Sequence, residues 1–149
     1  IRKGWAIMRL FPEALDFEAE EASKNLGKSF LFDFDKKQFV MEKGSPKTAT
    51  KKESIQNWLE LLIRTYLDSV DVYKGTGFGM EIKDLVGKRD VPIGFIESEI
   101  ERELKEKINL NPAIEDLGYF DFKRYTNSIL IEFSVILKNG EKVVVNYGR

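Results

Sequence analysis

The chain has 149 residues, the size of one domain, and it contains neither cysteine nor histidine, which excludes disulfide frameworks, thiolate metal sites and catalysis by a histidine base. Its 24 Lys and Arg residues nearly balance its 25 Asp and Glu residues. The chain therefore lacks the excess of positive charge that binding to nucleic-acid phosphates requires, and we expect no nucleic-acid partner. The longest apolar run, 129–137, is far shorter than a membrane span and no leader-like pattern opens the chain, so we expect no membrane partner.

The first 28 residues show no regular period, and we assign them to an N-terminal arm ahead of a single domain over 29–149. Five acidic residues fall between Glu13 and Glu21, which is typical of a frayed terminus or of an arm that contacts another protein surface. Residues 30–34 and 38–42 then predict a β-hairpin with alternating aromatic side chains.

Two amphipathic helices are predicted. Thr50 and Glu53 form a capping-box signature, from which the first helix should run to Leu67. The second should begin after Pro92 and end at Asn109. Apolar residues recur at spacings of three and four in both: Ile55, Trp58, Leu59, Leu62, Ile63 and Tyr66 in the first, and Ile93, Ile96, Ile100, Leu104 and Ile108 in the second.

Glycine residues punctuate the segment between the helices. Gly75, Gly77 and Gly79 give the backbone freedom for a sharp reversal, and Gly87 closes the apolar stretch that follows, so we predict structural turns at all four. A phosphate-binding loop is the alternative. The spacing Gly-x-Gly-x-Gly, with no Lys-Ser or Lys-Thr after it, disfavours that hypothesis.

The last third of the chain predicts antiparallel strands at 119–122, 129–137 and 142–147, the last two joined at Asn139-Gly140. With a two-residue loop, Ile136 would lie opposite Val143 and both faces of this hairpin would be apolar. We therefore predict an α+β fold in which one face packs on the two helices. The other face and the strand edge should form an interface for strand addition by another chain. The candidate interface residues are Ile129, Ile131, Phe133, Val135, Leu137, Val143, Val145 and Tyr147.

Several motifs in order resemble a known family. They are Phe30-Leu-Phe-Asp-Phe-Asp, Phe39-Val, Ile63-Arg-Thr-Tyr66, Val72-Tyr73 before Gly77-Phe-Gly79, and Ile82-Lys-Asp-Leu-Val-Gly-Lys88. Together they are similar to the XkdS-like baseplate proteins of PBSX-type prophages, which are related to the small lysozyme-like baseplate wedge proteins of contractile phage tails. The resemblance covers about residues 29–147.

This resemblance implies a fold similar to the tail-sheath handshake domain and a structural role in the inner baseplate of a phage tail or tailocin, at the tube–sheath junction. It implies six copies per baseplate, in a particle assembled in the bacterial host cytoplasm. The implied partners are the tail sheath protein, the larger wedge proteins, which the acidic arm should reach, and the tube or hub. The Glu-Pro-Arg motif frequent in the wider family is replaced here by Asn111-Pro112-Ala113, so no role of that motif transfers to this chain.

Two other functions compete with this one. A peptidoglycan hydrolase would need two nearby carboxylates, available from Glu132 and from the helix residues Glu97, Glu99, Glu101, Glu103 and Glu106. Interleaved lysines instead favour a solvated helix face with Glu101–Lys105 and Glu103–Lys107 pairs. A free-standing protein-interaction domain is the second alternative.

Aromatic residues could also form a ligand-stacking surface, although packing in the core is the expectation for such large apolar side chains. These residues are Phe30, Phe32, Phe34, Trp58, Phe120 and Phe122. We predict a protein that is not an enzyme, with no catalytic residue, no cofactor and no metal site.

Overall fold

The computed structural model describes residues 28–149. The acidic part of the arm, and its predicted contact with a wedge protein, lie outside the described residues. Among the described helices, none combines the length and the apolarity that crossing a bilayer requires.

Two short hairpins open the described chain. Strand β1 (Phe32–Asp33) pairs with β2 (Gln38–Phe39), and β3 (Met41–Glu42) pairs with β4 (Ser45–Pro46). The first hairpin confirms the predicted one, but the predicted strand 38–42 is divided, since its residues 41–42 pair with β4 instead. The Phe32 ring makes edge-on contacts with Phe34 and Phe39, whereas Phe30 is exposed and does not belong to the core.

Helix α1 (Lys51–Arg64) begins at the predicted capping box. The Glu53 N–H donates to Thr50 Oγ1 at 3.2 Å, and the Thr50 N–H donates to a Glu53 carboxylate oxygen at 2.8 Å. The helix ends before the predicted Leu67 because Thr65 turns into an extended conformation. There the Thr65 carbonyl accepts from the N–H of Met80, and the Leu67 N–H donates to the Met80 carbonyl.

A 3₁₀ turn (Asp71–Tyr73), a short helix α2 (Ile82–Val86) and helix α3 (Ile93–Ile108) follow. The predicted apolar stripe of α3 is confirmed at Ile96, Ile100, Leu104 and Ile108, which are buried. It is wrong at Ile93, which is exposed in the first turn of the helix.

The C-terminal part forms a three-stranded antiparallel sheet in the order β5-β6-β7. Its strands are β5 (Ile114–Arg124), β6 (Ile129–Leu137) and β7 (Lys142–Gly148). Strand β5 is much longer than the predicted strand 119–122. The prediction was too short because two irregularities in the pairing of β5 with β6 break the alternation of apolar residues along the strand. Helix α1 packs against β7 and α3 packs against β5. The prediction of an α+β fold with two helices on an antiparallel sheet is confirmed.

The β6–β7 register differs from the predicted one by one residue. Val135 lies opposite Val143, and Ile136 lies opposite Lys142. The loop has three residues rather than two: the Leu137 N–H donates to the Glu141 carbonyl, and Gly140 within the loop has a φ of +86°. A shift of one residue moves every side chain of a strand to the opposite face. Only one face of the hairpin is therefore rich in apolar side chains.

That apolar face is the core of the domain. All eight residues predicted as interface side chains lie there, each with at most 7% of its surface exposed: Ile129, Ile131, Phe133, Val135, Leu137, Val143, Val145 and Tyr147. The expectation that their side chains meet a partner is corrected by this burial, since the helices of the same chain already cover them. Strand addition at the sheet edge is a separate prediction, which the structure of one chain does not test.

Candidate protein-interaction surfaces

The outer edge of β7 presents unpaired backbone groups. Ile129 and Arg149 exchange both backbone hydrogen bonds, at 2.6 and 3.0 Å, and the Leu137 N–H donates to Glu141 at 2.8 Å. Antiparallel pairs alternate between bonded and non-bonded positions, so the odd-numbered residues of β7 bond to β6. The N–H and C=O groups of the even-numbered residues point away from β6: these are Lys142, Val144, Asn146 and Gly148. No described strand pairs with this edge.

The side chains of the same even-numbered residues lie on the sheet face opposite the helices. Val144 is 44% exposed there, beside the exposed Ile136 of β6, while Lys142 and Asn146 make the face mixed rather than apolar. Sequence reasoning missed Val144 and Ile136 as the accessible apolar pair. The signal that could have identified them was the loop length, because a three-residue loop places both on the outer face.

The glycine turn between α1 and α2 is held by polar side chains of α3. Gly75, Gly77 and Gly79 have φ values of +74°, +77° and +114°, whereas Gly87 ends α2 in the ordinary right-handed region. The Lys107 Nζ donates to the Gly77 carbonyl at 2.6 Å. Residues with side chains disfavour positive φ, so the three glycines allow the backbone to reverse sharply here. The Lys107 contact fixes this turn against α3.

Glu103 fixes the start of α2. One of its carboxylate oxygens accepts the backbone N–H of Glu81 at 2.9 Å, and only 8% of the residue is exposed. Burial raises the pKa of Glu103, against the opposing effect of this hydrogen bond. The predicted solvent-side pair Glu103–Lys107 is therefore wrong, because both side chains reach back to the turn instead. The predicted pair Glu101–Lys105 is confirmed at 2.9 Å.

A cleft of about 600 Å³ opens where the end of α1, α2, the β5–β6 loop and the end of β7 converge. We call it the cationic cleft, because five basic residues line it: Arg64, Lys83, Arg89, Arg124 and Arg149. None of the described acidic residues lines it. Ile63, Ile129 and the aromatic residues Tyr66, Tyr125 and Tyr147 supply its apolar wall.

Arg64 is the best-fixed cation of the cleft. Its guanidinium lies 5.2 Å from the ring centre of Phe34 and 5.4 Å from that of Tyr147, and 3.6 Å separates it from the Glu60 carboxylate. Burial raises the pKa of Glu60 although Arg64 opposes the shift. The Arg64 Nε is buried and finds no hydrogen-bond partner among the described residues. Arg64 thus joins the N-terminal hairpin to the sheet and holds its charge at the cleft.

The carboxylates considered for hydrolysis are placed differently. On α3, Glu99 and Glu106 pair with Arg102 at 2.9 and 3.6 Å, which gives an ion-paired surface. Glu132 lies directly opposite Asp121 on the outer face of the sheet, and Asp121 also binds Lys123 at 2.9 Å. Neither Glu132 nor Asp121 lines the cationic cleft. Within residues 28–149, no group of three acidic side chains could hold a metal ion.

Fold and surfaces together describe a small α+β domain with an unpaired strand edge and a charged cleft. Residues 28–140 match the family model of the contractile injection system sheath initiator. Since this match spans more than half of the chain, the protein belongs to the sheath initiator family. The predicted relation to contractile tails is confirmed at this level, while the closer resemblance to XkdS-like proteins stays a prediction.

A solved structure has a similar fold. It is the crystal structure of a protein from Geobacter sulfurreducens named "putative tail lysozyme", with a TM-score of 0.55 and 21% sequence identity. The similarity covers 68% of this chain and 91% of the other. At this identity the likeness shows the fold alone. No curated protein matches the sequence.

Proposed function

We propose that this protein is a structural subunit of the inner baseplate of a contractile tail, in a phage or a tailocin, where it provides the platform for the first sheath ring. Membership of the sheath initiator family supports this role. The proposed partners are the tail sheath protein, the larger wedge proteins and the tube or hub, with six copies in each baseplate.

The unpaired edge of β7 carries the proposal. Four residues direct both backbone groups away from β6, and their strand contains no proline that would block pairing. An extended segment of a sheath subunit can bond to these groups, each hydrogen bond contributing about 0.5–1.5 kcal/mol. The outer-face side chains Val144 and Ile136 would then contact alternate side chains of the added strand. Strand addition would thus allow the protein to bind a sheath subunit without any chemical reaction.

We propose no catalytic activity. On α3, Glu99, Glu101 and Glu106 form ion pairs and Glu103 holds α2, while the opposed Asp121 and Glu132 lie on the outer sheet face rather than in the cleft. A retaining glycosidase places its two carboxyl groups on either side of a bound sugar. Clearing of cell-wall suspensions by the purified protein, abolished by Glu132→Gln, would contradict the proposal.

Substitution of Val144 tests the proposal directly. Val144→Pro removes a backbone N–H that points to the free edge and leaves the bonds to β6 in place, as proline is tolerated in edge strands. Val144→Thr is the matched control, because threonine keeps both the N–H and the β-branched shape. Purified variants are mixed with the sheath protein, and ring formation is followed by sedimentation and electron microscopy.

We expect Val144→Thr to support ring formation and Val144→Pro to lose it, with both variants retaining the circular dichroism of the unsubstituted protein. Ring formation by folded Val144→Pro at the level of Val144→Thr would contradict strand addition at β7.

A further inference from the structure

The cationic cleft has an excess of positive charge that the described residues offset only in part, through the Glu60 carboxylate beside Arg64 and the Asp84 carboxylate that accepts from the Tyr66 hydroxyl. Five of the 24 Lys and Arg residues line it, and none of the described Asp and Glu residues does. Arg64 is paired with Glu60, while Lys83, Arg89, Arg124 and Arg149 form no ion pair with any described residue. Cations gathered in one cleft repel one another, so a ligand that carries several negative charges would stabilise the arrangement.

The amino-acid sequence contains a segment of matching charge. Residues 13–21 read Glu-Ala-Leu-Asp-Phe-Glu-Ala-Glu-Glu, with five carboxylates and no Lys or Arg. Four of the five cleft cations have no ion-pair partner among the described residues, so the segment carries a carboxylate for each of them. The apolar members of the segment, such as Phe17, match the tyrosine side chains of the cleft wall, of which Tyr125 is exposed.

Chain length permits the contact within one copy. The Ser29 carbonyl accepts the N–H of Ala49, which places residue 28 near the beginning of α1. Arg64, at the other end of this 14-residue helix, is about 21 Å away at about 1.5 Å per residue. The seven residue steps from Lys28 back to Glu21 span at most about 25 Å. The acidic segment can therefore reach the cleft.

We propose that the acidic segment 13–21 binds in the cationic cleft of its own copy, in place of the wedge-protein contact expected for the arm from the sequence. The cleft takes a carboxylate-rich peptide through its basic residues, of which Arg64 is held in place by the rings of Phe34 and Tyr147. Tyr147 and Arg149 lie at the end of β7, so the bound segment lies next to the edge at which strand addition is proposed. This inference does not depend on that addition.

The absence of cysteine makes the contact measurable in the full chain. Asn127 is exposed in the β5–β6 loop at the cleft, so Asn127→Cys accepts a nitroxide spin label. We expect this label to broaden the backbone amide signals of residues 13–21 in an isotope-labelled protein. A label at Ser98→Cys, on the exposed side of α3, is the control and should leave those signals unchanged.

Removal of basic residues from the cleft distinguishes a segment that binds there from one that only approaches the spin label by chance. The triple variant Lys83→Gln, Arg89→Gln, Arg149→Gln changes exposed residues and leaves the packed Arg64 intact. The broadening should be lost in this variant and in 1 M salt, where the screening length falls to about 3 Å.

Three results would overturn the proposal. The Asn127 label could leave residues 13–21 unaffected, or the broadening could persist in the folded triple variant. Broadening seen only when label and isotope are on different chains would assign the segment to the cleft of a neighbouring copy instead.

Discussion

The substitution Gly79→Ala should be far more costly than Gly75→Ala, although both glycines lie in the same turn with positive φ. A Cβ atom at position 79 would lie 3.0 Å from the Leu67 Cα and N and 3.1 Å from the Thr65 carbonyl oxygen. All three are backbone atoms of the segment that bonds to Met80, so they cannot move aside as the end of a side chain could. A Cβ at position 75 meets nothing within 4 Å.

The magnitudes follow from these geometries. A φ of +114° at Gly79 costs an alanine about 1–3 kcal/mol of backbone strain, and the overlap with backbone adds about 1–3 kcal/mol more. We therefore expect Gly79→Ala to lower the free energy of unfolding by about 3 kcal/mol or more. Gly75→Ala has only the strain, partly offset by the lower entropy of the unfolded chain, so about 1 kcal/mol or less is expected.

Urea unfolding of the two variants, followed by circular dichroism, measures both changes. At this chain length, 3 kcal/mol also corresponds to a fall of about 6–12 °C in the midpoint of thermal unfolding. Equal losses of stability for Gly79→Ala and Gly75→Ala would refute the argument that a close backbone approach requires glycine at position 79.

Two further substitutions test the described contacts. Ser134→Ala should lower the free energy of unfolding by about 1–3 kcal/mol, because the buried Ser134 Oγ accepts the Tyr119 N–H at 2.9 Å. Urea unfolding checks this, and an unchanged midpoint would contradict it. Glu103→Gln keeps an acceptor for the Glu81 N–H but cannot ionise. Burial raises the pKa of Glu103 above its ordinary 4.5, so the folded protein binds this proton more tightly than the unfolded chain does. The contribution of the protonated carboxyl group to stability is therefore complete below pH 4.5, and it is lost as the pH rises through the pKa of the folded state. The variant should therefore gain stability relative to the unsubstituted protein as the pH rises above 4.5, and a difference independent of pH would count against it.

Local rules predicted the helices well. The capping box at Thr50 and Glu53 fixed the start of α1, and proline at position 92 fixed the start of α3. Both signals depend on residues within one helical turn, so the sequence contains all of the relevant information. The end of α1 was set by a contact with Met80, sixteen residues after Arg64, and that contact has no local signal.

The sheet shows where sequence reasoning failed. Asn139-Gly140 correctly located the hairpin turn, but the dipeptide does not distinguish a two-residue loop from a three-residue one. That single residue decided whether Val143 and Val145 face the core or the outside. The predicted interface side chains consequently became core residues, and the accessible groups are the backbone edge and Val144.

The cationic cleft had no signature in the sequence. Its basic residues come from positions 64, 83, 89, 124 and 149, which belong to separate elements or to their connections. In a chain whose charges nearly cancel, such a cluster is created only by the fold. The composition and order of residues in the chain therefore could not predict this positively charged surface.

Backbone hydrogen exchange of β7 in the presence of the sheath protein tests strand addition most directly. In the free protein, the amides of Val143, Val145 and Tyr147 should already be protected by β6. On addition of the sheath protein, we expect new protection at Lys142, Val144, Asn146 and Gly148, whose amides point to the free edge. If the sheath protein binds while these four amides exchange as fast as before, β7 is not the edge that receives a strand.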